Sequence, residues 1–250
     1  MRNIRVPIIA TISAAIFLAT ALASLISLSV LQQYDGILYA FGQTVGRSGG
    51  QQQITNAASS ASNILSLLSL TSQGSPYQGS KSAPVTVIDF SDLQCHLCAR
   101  YVKNTEPKIN ETYIQTGKVA LVFKHLPNRG FDSMPAALAA QCTQDQGKFW
   151  QFHNWLYEKQ GPIDSGWANK DNLKKLASQI SGLDMDKFDS CFDNQKYKSF
   201  IENDIALAHS LGFAETPSFI VAKSDGSNPQ KIEGPQPFAA FKAVIDKELG

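Results

Sequence analysis

Hydrophobic and polar positions divide the chain into three textures. Residues 6–34 carry no charged side chain and are mostly Ile, Leu, Val, Ala and Phe. A helix needs roughly 20 apolar residues to cross the hydrocarbon core of a bilayer, and the run at 6–31 suffices for one spanning helix. Arg2 and Arg5 precede the run and the next cation is Arg47, so the positive-inside rule leaves the N-terminus in the cytoplasm and the rest outside. A cleavable signal peptide is the alternative, because Ala21-Leu22-Ala23 offers a small-x-small site. The apolar run nevertheless continues through Leu25, Ile26, Leu28, Val30 and Leu31, longer than a usual signal core. Both readings export the remainder of the chain. Residues 36–83 read as a flexible tether, since from 42 onward Gln, Ser, Gly, Ala, Asn and Thr dominate, with Arg47 and Lys81 the only charges. Within it, Ile64, Leu65, Leu67, Leu68 and Leu70 suggest a short helix lying on the membrane or on the domain beyond.

At Pro84 the pattern changes again. Residues 85–90 are β-branched and apolar with a single acid, Asp89, and read as a buried strand. A helical pattern over 97–116 ends at Gly117, and residues 119–123 form a second buried strand. A strand, a long helix and another strand make a βαβ unit with parallel strands. Helical segments occupy 135–144, 148–159, 171–182, 184–192 and 196–211. The aromatic series Phe149, Trp150, Phe152, Trp155 and Tyr157 has the spacing of a core-facing helix. Lys124 and His125 close the second strand, either near Asp89 or, more plainly, as a solvated strand end. Short strands at 218–222 and 231–233 straddle an Asp225-Gly226 turn, and a helix over 238–249 ends the chain.

Composition narrows the function classes. The 250 residues carry a net charge of +1 without a run of Lys or Arg, which removes the electrostatic footprint of a nucleic-acid binder. The length suits one buried domain plus an appendage. Four cysteines in an exported chain are expected to pair. Two of them form Cys95-His96-Leu97-Cys98, directly after a buried strand and in the first turn of a helix. The positive end of a helix stabilises a thiolate on the first cysteine. That sulfur faces outward while the second lies a turn deeper, so Cys95 exchanges with substrate and Cys98 resolves the mixed disulfide. Zinc would call for a second, similarly spaced pair, and haem attachment for His at the position of Ala99; neither metal nor cofactor is expected. Cys142 and Cys191 lie in different helical segments. Outside the membrane a structural disulfide between them is the simplest account, two buried thiols the alternative.

The residues 85–98, the Glu106-Pro107 step, the helical block at about 130–212 and Glu215-Thr216-Pro217 together resemble the DsbA-like branch of the thioredoxin superfamily. The resemblance covers residues 84–250 and implies an α/β thioredoxin fold, βαβ then ββα, with the helical block inserted between. It implies that Cys95 and Cys98 are the active-site pair. It also implies that Pro217, after Thr216, is a cis-proline packed against them, rather than an ordinary strand-opening proline. Asp89, six residues before Cys95, matches the buried acid that handles the proton of the second cysteine, unless it is a half-exposed edge residue. One departure stands out: strongly oxidising members carry Pro-His between the cysteines, whereas this chain has His96 and then Leu97, which cannot donate a hydrogen bond to a thiolate. The expectation is a membrane-anchored, extracytoplasmic enzyme that forms disulfides in exported proteins and is reoxidised by a quinone-linked membrane protein. The same site run as a reductase or isomerase is the nearest alternative; a metal-delivery module using the two cysteines and His96, or a non-catalytic binding domain, is more distant.

Overall fold

A computed structural model of the chain describes residues 74–250. The anchor expected at 6–31 and residues 36–73 of the expected tether lie outside that range. Among the described residues no helix is long and apolar enough to cross a membrane.

A five-stranded sheet organises the domain. Its central strands are β2 (Val85–Ser91) and β3 (Val119–His125), which run parallel. On the outer side of β3 lies β1 (Tyr77–Gln78), antiparallel to it; on the other side β4 (Ser218–Lys223) pairs antiparallel with β2, and β5 (Gln230–Glu233) with β4. The order is β1-β3-β2-β4-β5. β1 falls inside the stretch whose polar composition reads as tether. Its pairing is short, and side chains from elsewhere hold it and the residues before it: Trp150 Nε1 donates to the Tyr77 carbonyl at 2.9 Å, and Gln141 Nε2 to the Gly74 carbonyl at 2.9 Å.

β2 is buried along its whole length, as a strand with neighbours on both edges and layers on both faces must be. Val85 and Val87 pack with Tyr101, Phe219 and Phe241 on one face, while Ile88 and Phe90 pack with Val122, Phe213 and Ile220 on the other. Asp89 has the parity of Val85 and Val87, which turns its carboxyl toward the crossover helix.

That crossover is not the single helix the spacing predicts over 97–116. It comprises α1 (His96–Asn104), α2 (Glu106–Ile109) and a π-helical turn over Asn110–Ile114. Pro107 has no N–H to donate and its ring crowds the preceding turn, so the helix breaks at Thr105, whose Oγ1 donates instead to the Gln236 carbonyl at 3.0 Å.

The insertion comprises α3 (Ser133–Gln144), α4 (Phe149–Glu158), α5 (Lys170–Ala177), α6 (Met185–Asp193) and α7 (Lys198–Ser210). It has a core of its own around Phe149, Phe152, Leu156 and Phe188, which runs on to Cys95 and Cys98. A disulfide between Cys142 and Cys191 joins α3 to α6. The end of β3 is not a solvated strand end. Lys124 and His125 are buried, the Lys124 ammonium pairs with Asp204 of α7 at 2.9 Å, and the other Asp204 oxygen accepts the His125 N–H at 3.1 Å. A final helix, α8 (Phe238–Leu249), covers the sheet face that carries Phe219.

Candidate active site

The turn leaving β2 is built before the cysteines are reached. Asp92 is buried and both its carboxylate oxygens are used: Oδ1 accepts from the Gln94 N–H at 2.7 Å, and Oδ2 from the N–H groups of Asn128 and Arg129 at 2.7 and 2.8 Å. One carboxylate therefore ties the entry to α1 to the loop after β3. The backbone of Cys95 is the N-cap of α1, with no side-chain cap competing for the free N–H groups.

Cys95 and Cys98 are both free thiols. Cys98, one turn into α1, is fully buried. Cys95 is 1% exposed rather than outward-facing, because the loop before β4 folds over it; its sulfur donates to the Thr216 carbonyl at 3.4 Å. The Thr216-Pro217 bond is cis. The Cys95 thiol is pulled down to about 5, chiefly by the hydrogen bond from Cys98, with help from Thr216 and the N–H groups of Leu97 and Cys98, against burial. Cys98 is pushed far in the opposite direction by burial, by its bond to Cys95 and by the charges of Cys95 and Asp89. Two sulfurs three residues apart thus carry opposite chemistry: at the helix N-terminus a thiol that gives up its proton readily, and one turn deeper a thiol that keeps it.

Asp89 is buried, not a half-exposed edge residue. Burial raises its carboxyl to about 7, although Ser91 donates to one of its oxygens. A second buried acid, Glu106, opens α2, and burial together with the charge of Asp89 pushes it to about 8. Asp89 Oδ2, Glu106 Oε2 and the Tyr101 hydroxyl are buried without a hydrogen-bond partner. Glu106 also lines a cleft of about 690 Å³ between α1 and α4, with His96, Arg100 and Tyr157 along its wall. His96 is exposed and Leu97 packs against the insertion core, so the two residues between the cysteines face water and protein respectively.

Sequence reasoning does not single out Asp92, Gln94 or Arg129. Gln94 is buried and bonds Ser133 and Asp164 of the insertion, each at 3.1 Å. Arg129 reaches across to Glu215 at 2.5 Å and to both oxygens of Thr216. Nothing in the spacing of these residues marks them; only Gly130, beside Arg129, hints at a constrained loop. Its φ is +155°, and a Cβ there would collide with the Asp164 carboxylate.

The arrangement agrees with what the chain resembles. A family model described as thioredoxin matches residues 71–247. Disulfide bond formation protein D of Bacillus subtilis is 30% identical over 179 residues, covering 71% of this chain and 78% of the relative. The crystal structure of oxidised BdbD from Bacillus subtilis superposes with a TM-score of 0.64 at 29% identity, covering 70% of this chain and 93% of that one. Wolbachia pipientis α-DsbA1 gives 0.64 at 29%, covering 74% and 96%. With its paired cysteines at a helix N-terminus against a cis-proline, the chain belongs to the DsbA-like family of thiol–disulfide oxidoreductases within the thioredoxin superfamily.

Proposed function

We propose that the protein is a membrane-anchored extracytoplasmic oxidase that introduces disulfides into exported proteins through Cys95 and Cys98. The opposed ionisation of the two sulfurs carries this reading. In the oxidised enzyme a substrate thiolate attacks Cys95, the Cys95–Cys98 bond breaks, and Cys98 leaves as a thiolate. Because Cys98 holds a proton strongly, that thiolate is quenched at once, and Asp89 is the nearby acid that still has a proton to give near neutrality. A second substrate thiolate then attacks the substrate sulfur of the mixed disulfide and expels Cys95 as a thiolate. Two electrons and the sulfur–sulfur bond have exchanged partners: substrate is oxidised and enzyme reduced. A leaving group near pKa 5 is a good one, which favours release over reversal.

Pro217 fits a role in presenting the Thr216 backbone to the substrate segment beside Cys95. His96, exposed at the cleft mouth, belongs to the surface a substrate meets, and Leu97 seats α1 on the insertion. The apolar run at 6–31 supports anchoring, with the domain outside and the N-terminus inside. A fixed anchor raises the effective concentration of a membrane partner able to remove the electrons, for which a quinone-linked protein has the right chemistry.

The test is the reduction potential of Cys95/Cys98 in the full chain, equilibrated against glutathione buffers. Reference values are about −120 mV for a dedicated oxidase and about −270 mV for thioredoxin. A potential above about −170 mV supports the oxidase, and one below about −240 mV makes the protein a reductase.

A further inference from the structure

Leu97 leaves the reduced centre without the hydrogen-bond donor that a polar residue in its place would give. A cation reaches the same sulfur from another element. Nη2 of Arg129 lies 3.4 Å from the Thr216 carbonyl oxygen, and the Cys95 sulfur lies 3.4 Å from that same oxygen; guanidinium and sulfur are neighbours across one acceptor. The side chain is fixed along its length. Its backbone N–H is held by Asp92, Nε donates to Thr216 Oγ1 at 3.3 Å, and Nη2 donates to Glu215 at 2.5 Å. Partial burial opposes the charge on Arg129, while Glu215 and the Cys95 sulfur more than restore it.

We propose that Arg129 is the cation that adds to the hold of Cys98, Thr216 and the helix N–H groups on the Cys95 thiolate in the reduced enzyme, doing through space what Leu97 cannot do through a hydrogen bond. Other ionisable groups that act on the sulfur are Cys98 of α1, Asp89 of β2 and Tyr157 of α4, with Glu215 acting through its bond to Arg129; His96 of α1, next in the chain, is exposed. Arg129 is the permanently charged cation in this set. The half-reaction shows why its position matters. Reduction breaks the Cys95–Cys98 bond, takes two electrons from a substrate dithiol, and leaves one thiolate on Cys95 and one thiol on Cys98. Arg129 attracts only the reduced product, so it draws the equilibrium toward dithiol and makes the centre more oxidising. When Cys95 ionises it stops donating to the Thr216 carbonyl, and Arg129 remains as that oxygen's donor. Arg129 is thus a positioning and electrostatic residue rather than a group that exchanges sulfur.

This inference rests on the oxidase reading only for its meaning in the cell, because the thiolate is measured without substrate. The experiment follows the ultraviolet absorbance of the Cys95 thiolate against pH in the reduced full chain, for wild type, Arg129→Gln, Arg129→Lys and Glu215→Gln. Arg129→Gln is expected to cut the thiolate-to-thiol ratio about tenfold at a given pH, and a tenfold change in the exchange constant lowers the potential by about 30 mV. Arg129→Lys should recover part of the loss. Glu215→Gln breaks the same ion pair but removes a competing anion, so its thiolate should become more stable. If Arg129 merely props the loop before β4, Arg129→Gln and Glu215→Gln shift the titration in the same direction, and that outcome overturns the proposal. A folded Arg129→Gln variant with the wild-type titration overturns it as well. Should Arg129→Gln fail to fold, the sign of the Glu215→Gln shift decides alone. A thioredoxin-like wild-type potential would sink the oxidase reading while leaving the variant comparison intact.

Discussion

Asp89 carries a measurable signature at the scale of a single residue. In the unfolded chain an aspartate ionises from about pH 4; in the folded protein Asp89 keeps its proton to about pH 7. Between those limits the folded state binds the extra proton, so this group's contribution to stability falls as pH rises and levels off above about 7. Asn does not titrate. Asp89→Asn is therefore expected to gain stability over wild type between pH 4 and 7, by up to about 4 kcal/mol, read as the difference between two denaturant series. The same variant should turn over more slowly near neutrality if Asp89 supplies the Cys98 proton. Cys98→Ser cannot form the Cys95–Cys98 bond and should lose oxidase turnover. Its Cys95 thiolate can still attack a disulfide in a partner protein and remain trapped as a mixed disulfide, visible on non-reducing gels, because Cys98 is no longer there to displace the partner; a variant that turns over normally would refute the assigned roles. Cys95, Cys98 and Asp89 are legible in the chain because motif, spacing and an acid in an apolar strand are one-dimensional signals. Glu106 is legible only as part of a helix-breaking step. Its burial depends on α8 and β2 lying over it, and no local pattern reports that.

Elements meet at the loop after β3. Asp92 clamps this loop to the start of α1 with three backbone hydrogen bonds, and Asp164 supports it from the insertion by accepting from the Asp132 N–H. Gly130→Ala would drive a methyl group into that Asp164 carboxylate, displacing Gln94 and Asp132 from their shared partner. A loss of about 1–3 kcal/mol is expected from such overpacking, with faster hydrogen exchange at residues 128–132 as the local readout. Strand and helix positions can be read from the pattern, since β2 opens on a β-branched run, β3 on an apolar one, and α8 has clean ends. The break at Thr105 is concealed by the helical composition around it, although Pro107 is the residue responsible. β1 has no signal at all. Two residues paired at an edge owe their conformation to β3, Trp150 and Gln141, all distant in sequence.

At the scale of the whole molecule, two cross-links hold the insertion. The Cys142–Cys191 bridge closes a separation of 49 residues, and the chain-entropy model gives about 4 kcal/mol for a loop of that size. Replacing both cysteines by Ala should lower the denaturant midpoint accordingly while leaving the Cys95 titration in place. The Lys124–Asp204 pair is the second link, buried on both sides. Asp204→Ala strands a buried ammonium and is expected to cost about 3–5 kcal/mol, whereas Lys124→Met combined with Asp204→Leu should recover most of it. Neither pairing is written in sequence spacing: the disulfide is an inference from compartment, and the ion pair joins residues whose separation only the folded topology closes. The edge strand β1 also gives the molecule a mechanical profile. A pull entering at residue 74 meets an antiparallel ribbon of two residues together with the Trp150 and Gln141 contacts. The parallel β2–β3 ladder, matched over seven residue pairs, lies behind it. Tension on that end is expected to peel away this strap before it reaches the strand that carries Asp89, a mechanical fuse ahead of the turn that leads into Cys95.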